Sequence, residues 1–169
     1  IALTFVPQLG VRGIVHLMEV FGSAAAVYSA SAEELRQRAR LRDDVVRNIV
    51  SHNGFAEAER ELEYCSRHNI TPLASTDEKY PKLLRQIDDY PHILYVRGSV
   101  EALQRRMVAF VGTRKISAYG ERVCNEMIHS LAEAVPDVAI VSGLAYGVDG
   151  AAHRAALAEG VTTVGVIAN

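Results

Sequence analysis

Met107-Val108-Ala109-Phe110-Val111-Gly112-Thr113-Arg114-Lys115-Ile116-Ser117-Ala118-Tyr119-Gly120 runs from an unbroken apolar stretch into a glycine, two cations and a serine set before a helical pattern. A nearly all-apolar run of this length suits a strand covered on both faces, as in a parallel sheet. Two more such runs follow, Val138-Ala139-Ile140-Val141 and Thr162-Thr163-Val164-Gly165-Val166-Ile167. Helical stretches lie between them, Ala118 to Ala134 and about Val148 to Glu159. Strand, helix, strand, helix, strand with parallel crossovers predicts a doubly wound α/β sheet. Because the last run reaches the end of the chain, the sheet is expected to be incomplete at the C-terminus. The chain also opens on Ile1 rather than Met, so it reads as an excised fragment.

Upstream the periodicity changes. From Leu3 to about His68 apolar residues recur at helical spacing and β-branched runs are scarce, which predicts several short helices joined by tight turns. Glycines in Pro7-Gln8-Leu9-Gly10-Val11-Arg12-Gly13 and Phe21-Gly22-Ser23 suit helix-to-helix turns. Ser31 stands where an N-cap belongs, with Glu33 and Glu34 in the first turn, and Asp43-Asp44 repeats the acidic start. Gly54 to Arg67 reads as an amphipathic helix with Phe55, Ala58, Leu62 and Cys65 on one side. At Ile70-Thr71-Pro72-Leu73 the period turns to strand, and Ile93-Leu94-Tyr95-Val96 is a further strand. The expected organisation is a small all-α domain over 1–68 and an α/β domain over 69–169.

Composition narrows the function classes. With 169 residues, 49% hydrophobic and 22% charged, the chain is expected to be soluble and globular. A net charge of -2 and a pI near 6.3 exclude a global cationic field, so any nucleic-acid site must be a local patch. Cys65 and Cys124 lie far apart without metal-ligand spacing, which predicts neither a disulfide framework nor a zinc cluster and fits a reducing cytoplasm. No run approaches the ~18 to 20 apolar residues of a membrane span, and no targeting segment is visible. His16, His52, His68, His92 and His129 are scattered without a metal pattern.

In an open parallel sheet, ligands bind beyond the carboxyl ends of the strands, where helix N-termini point into a crevice. Gly112-Thr113-Arg114-Lys115 occupies that position after the first run, with Ser117 as N-cap of the following helix. Glycine lets backbone amides approach an anion, the helix start adds partial positive charge, and an arginine adds bidentate donors. Arg114 is the leading candidate, although a solvated arginine near a helix start is the plainer reading of that residue alone. After the second run comes Ser142-Gly143-Leu144-Ala145-Tyr146-Gly147-Val148-Asp149-Gly150-Ala151-Ala152-His153. Its glycines suggest backbone donors near a ligand, or simply tight strand-to-helix packing, which is the preferred reading for Gly150 and the alanines. Asp149 and His153, four apart, invite an acid/base or metal role, but a local hydrogen-bonded pair fits better because no third ligand has suitable spacing. Neither Gly-x-Gly-x-x-Gly nor Gly-x-x-x-x-Gly-Lys-Ser/Thr occurs, which disfavours dinucleotide enzymes and P-loop ATPases.

Taken in order, Tyr80-Pro81-Lys82-Leu83-Leu84, Asp88-Asp89-Tyr90-Pro91, Leu94-Tyr95-Val96-Arg97-Gly98, Val111-Gly112-Thr113-Arg114 with Ser117, Tyr119 and Gly120, and Ser142 to Asp149 with Ala152-His153 resemble the DNA-processing protein A (DprA/Smf) family. The N-terminal helices with Leu9-Gly10 and Phe21-Gly22-Ser23 resemble that family's helix-hairpin-helix or sterile-alpha-motif-like domain, so the resemblance covers essentially the whole chain. It implies a Rossmann-like α/β domain and a cytoplasmic, non-catalytic protein, without cofactor or metal, that binds incoming single-stranded DNA during natural transformation and helps load the RecA recombinase. It carries a DNA-phosphate pocket onto Gly112, Thr113, Arg114, Ser117, Ser142, Gly143 and Gly147. It also implies a homodimer for the full-length protein. Family members continue with a further glycine-rich turn, a base-contacting aromatic and lysine, and often a winged helix, none of which falls within this sequence. The rival expectation is a nucleotide-binding or nucleotide-hydrolysing enzyme resembling the lysine-decarboxylase-like (LOG) family. That family's Pro-Gly-Gly-x-Gly-Thr signature is absent here.

Overall fold

A computed structural model describes residues 1–168. The chain divides into two compact units, Ile1–Gly98 and the chain from Ser99 onward.

The first unit begins with a single 3-10 turn, Ala2–Phe5, and five helices: α1 Gly10–Phe21, α2 Ala24–Ser29, α3 Ala32–Ala39, α4 Asp43–Val50 and α5 Phe55–Arg67. Their boundaries follow the expected punctuation. Gly22 takes a left-handed conformation (φ 81°) that ends α1, and the Ser23 hydroxyl then caps α2 by accepting from the Ala26 amide at 3.1 Å. Ser31 and Glu34 form a reciprocal capping box at the start of α3. Leu17, Val27, Leu35, Val46 and Ile49 are fully enclosed at the centre of this bundle. On α5, Ala58 and Cys65 are buried as the spacing requires, whereas Leu62 is exposed.

The strand at Ile93–Arg97 (β2) pairs antiparallel with Ile70–Ala74 (β1), from Ile70 opposite Arg97 to Ala74 opposite Ile93. This hairpin packs on α5 within the first unit. The change from helix to strand therefore falls where the periodicity puts it, but the compact unit continues to Gly98. The connection between the strands is held by Tyr80, fully buried, whose hydroxyl donates to the Pro91 carbonyl at 2.5 Å. Burial pushes its phenol up to about 12.

The second unit holds three parallel strands, β3 Arg106–Ala109, β4 Val138–Ser142 and β5 Thr162–Gly165, in the order β3-β4-β5. Helix α6, Ala118–Ala134, links the first pair and α7, Val148–Ala158, the second. Phe110, Val138 and Ile140 meet Cys124 and Ile128 of α6 and the alanines Ala151, Ala152, Ala155 and Ala156 of α7 in one core. Both crossover helices thus cover the same face and pack against each other, with small alanines permitting the close approach. This βαβαβ unit is one half of a doubly wound Rossmann-like sheet. Cys65 and Cys124 are both buried and free. No described helix is long and apolar enough to cross a membrane.

One buried polar pair in the first unit yields a pH prediction. Ser75 and His92 are both buried, with the Ser75 hydroxyl 2.8 Å from His92 Nδ1 and the Ser75 amide donating to the His92 carbonyl at 2.8 Å. Burial holds the His92 imidazole below its ordinary 6.5. Since the folded value is depressed, the unfolded chain takes up the proton first as pH falls. The stabilisation is present above about pH 6.5 and is lost as pH drops below it. Thermal unfolding should show Tm falling on acidification below that point, with a shallower fall in His92→Asn; equal slopes would remove His92 from the account.

Candidate nucleic-acid interface

The carboxyl end of the parallel sheet is built from two turns, Val111–Ser117 between β3 and α6 and Gly143–Gly147 between β4 and α7. Pairing continues past the strand ends: the Phe110 amide donates to the Val141 carbonyl and the Val166 amide to the Ser142 carbonyl, each at 2.9 Å. The Ser142 hydroxyl donates to the Phe110 carbonyl at 2.6 Å. The two strand ends therefore leave the sheet in fixed register.

The turns then meet. Thr113 accepts a backbone hydrogen bond from the Val148 amide at 3.1 Å. Gly147, at φ 86° and ψ -129°, lies so close that an added Cβ would stand 2.1 Å from the Thr113 carbonyl oxygen and 2.7 Å from Arg114 Cα. At Gly112 an added Cβ would fall 2.5 Å from Val148 Cγ2. Both glycines are required by approach of one turn to the other, and only a glycine also tolerates the backbone angles at 147.

Ser117 caps α6, its hydroxyl accepting from the Gly120 amide at 3.1 Å. Thr113 folds the turn on itself, its hydroxyl accepting from the Lys115 amide at 3.1 Å. Arg114 and Lys115 are exposed, and neither side chain has a hydrogen bond or ion pair among the described residues. Two unpaired cations thus project from a turn whose backbone is held from both sides.

Of the residues expected in the pocket, Gly112, Thr113, Arg114 and Gly147 come together directly, and Ser117 lies on the same turn. Gly143 lies across from them, its carbonyl accepting from His153 Nε2 at 2.7 Å. Ser142 departs from the expectation: it is buried and its hydroxyl is committed to Phe110, so it holds the turns in place rather than presenting a donor to a ligand. The proposed Asp149–His153 pair is also corrected. His153 reaches the Gly143 carbonyl and, through Nδ1 at 2.6 Å, the Thr163 hydroxyl, bracing α7 to the ends of β4 and β5. The Asp149 carboxylate instead lies over Gly143, where an added Cβ would be 2.6 Å from Oδ2. A carboxylate at that helix start answers the α7 dipole itself, which leaves the β3–α6 turn as the positively charged half of the site.

Sequence reasoning missed His153 as a brace, because its partners come from separate strands. It also assigned no role to Tyr119 and Tyr146, which the structure leaves exposed beside the paired turns. Among the described residues no cluster of His, Cys, Asp and Glu could hold a metal, and burial raises the Cys124 thiol.

A parallel βαβαβ unit with abutting glycine turns at its carboxyl edge defines a module of Rossmann-like type. The model of the family described as DNA recombination-mediator protein A matches residues 71–169, and the chain belongs to that family. Protein Smf of Escherichia coli is 41% identical over 102 residues, 60% of this chain and 26% of that protein. The DNA processing protein DprA of Bacillus subtilis is 38% identical over 101 residues, 59% of this chain and 33% of its own length. In three dimensions the chain resembles the X-ray structure of DNA processing protein A from Streptococcus pneumoniae, with a TM-score of 0.64 and 26% identity over 92% of this chain and 56% of that one. The chain spans 26% to 41% of the length of the curated relatives it matches.

The contact at Gly147 is open to a direct check. Gly147→Ala adds a Cβ where the Thr113 carbonyl stands, whereas Gly160→Ala meets nothing within 4 Å at a comparable positive φ of 66°. A left-handed φ alone costs about 1–2 kcal/mol, and at 147 the Thr113 contact and the ψ of -129° add to it, so in denaturant unfolding Gly147→Ala should lose clearly more stability than Gly160→Ala. Equal losses would mean that the approach of the two turns contributes nothing.

Proposed function

We propose that this chain is the DNA-phosphate-holding part of a cytoplasmic, non-catalytic recombination mediator. It binds single-stranded DNA that enters during natural transformation, protects it and helps load the RecA recombinase, as a homodimer in the full-length protein. The observation that carries the reading is the locked pair of turns presenting the unpaired Arg114 and Lys115 beside the capped start of α6. Arginine offers planar paired donors to a phosphate, and the backbone around it is already fixed, so little ordering cost remains on binding.

Phosphate contacts position a strand without reading its bases, so binding is sequence-tolerant and salt-sensitive. A binding role rather than a catalytic one is supported by how the reactive groups nearby are engaged. The Ser142 hydroxyl serves Phe110, both His153 nitrogens face the strand ends, and Cys124 sits in the core. The acidic balance of the whole chain restricts attraction to this local patch.

Arg114→Ala in the full chain should weaken binding of an oligothymidylate and flatten the slope of log affinity against log salt by about one unit per lost phosphate contact. Fluorescence anisotropy across a salt series reads both quantities. Unchanged affinity and slope would take Arg114 off the phosphate path.

A further inference from the structure

The tyrosines of this chain fall into two groups. Five of the seven are engaged: Tyr28 packs on His52 and Phe55, Tyr64 stacks on His68 at 3.9 Å, Tyr80 and Tyr90 meet edge to face, and Tyr95 shares a hydrogen bond with Glu61. Tyr119 and Tyr146 have neither a ring contact nor a hydrogen bond among the described residues, and they are 70% and 87% exposed. Tyr146 belongs to the β4–α7 turn and immediately precedes Gly147, whose backbone rests on Thr113 and Arg114, and Tyr119 stands in the first turn of α6, two residues after the Ser117 cap.

Leaving a tyrosine ring almost wholly in water forgoes the ring or hydrogen-bond contact that each of the other five makes. Both stand on backbone next to the segments that carry the unpaired cations, pinned by the Val148–Thr113 bond and the Ser117 cap. A ring on a fixed support is a stacking surface that needs little ordering, and every base has a face that can use it.

We infer that Tyr146, with Tyr119, supplies the base-stacking surface for the strand whose phosphates the turns hold. The inference rests on the single-stranded-DNA reading above and adds what lies beside each phosphate. The cations hold the charged backbone and the rings take the bases, which gives affinity without sequence choice.

The two contributions separate experimentally, because stacking is independent of counterion release. In the full chain, Tyr146→Ala should weaken oligothymidylate binding about tenfold, the scale of one lost stacking contact, while leaving the salt slope unchanged. Tyr146→Phe keeps the ring and should bind like the unsubstituted chain. An abasic oligonucleotide of the same length should not distinguish Tyr146→Ala from the unsubstituted chain. Since the sequence has no tryptophan, Tyr146→Trp places a single reporter whose emission should be quenched by the base-bearing strand and not by the abasic one. If Tyr146→Ala binds the base-bearing strand normally while Arg114→Ala weakens it, the stacking inference falls and the phosphate reading stands. An equal loss on the abasic strand would also overturn stacking. If the unsubstituted chain binds no oligonucleotide, both fall together.

Discussion

The close approach of Gly147 to Thr113 and Arg114 is the constraint on which the site depends. The ends of β3 and β4 are neighbours in a parallel ladder, so their outgoing turns must share a small volume. A side chain at 147 or at 112 would force them apart. With glycine at both positions the turns touch, the Val148 amide finds the Thr113 carbonyl, and α7 starts where it can pack its alanines on the sheet. Ser142 and His153 complete the bracing by tying turn backbone to strand ends. What emerges is a short, stiff platform from which Arg114 and Lys115 project.

Charge is divided unevenly across that platform. The β4–α7 side carries Asp149 in its first helical turn, while the β3–α6 side carries both cations, a neutral serine cap and a first-turn Glu121 already paired with Arg154. Farther along, Arg154 of α7 pairs with Glu121 of α6 at 3.0 Å, and His129 lies between Glu133 and Glu159, so those neighbouring charges are matched within the fold. Hydrogen bonding to Glu159 in particular raises the His129 imidazole above its ordinary value. Arg114 and Lys115 have no such partner among the described residues, and a chain of net negative charge thereby keeps a local cationic point without a broad positive field.

Much of this was legible in the sequence. The limits of α6, the Ser31 and Ser117 caps, the turn at Gly22-Ser23 and the three parallel runs follow from local rules of periodicity and capping, and the structure agrees with them. The glycines at 112 and 147 could be marked as close-approach positions, but not which atoms approach. The association of the β1–β2 hairpin with the helical unit escaped detection because antiparallel pairing of Ile70–Ala74 with Ile93–Arg97 spans a long irregular connection whose anchor, Tyr80, looks like any loop tyrosine. Ser142 looked like a ligand donor because its sequence neighbours are turn residues; its hydroxyl is taken by the Phe110 carbonyl, just past the end of the neighbouring strand. The pairing assumed for Asp149 and His153 failed for a related reason: helical spacing places two residues on one face, but the strands beneath supplied His153 with better partners.

That the two turns act as a single seat can be tested by titrating the isotope-labelled full chain with oligothymidylate, following backbone amide resonances of residues 112–117 and 143–149 by NMR. One saturable transition in which both turns shift together, with the same midpoint, is the expected result. Shifts confined to one turn, or to residues of the helical unit, would contradict it.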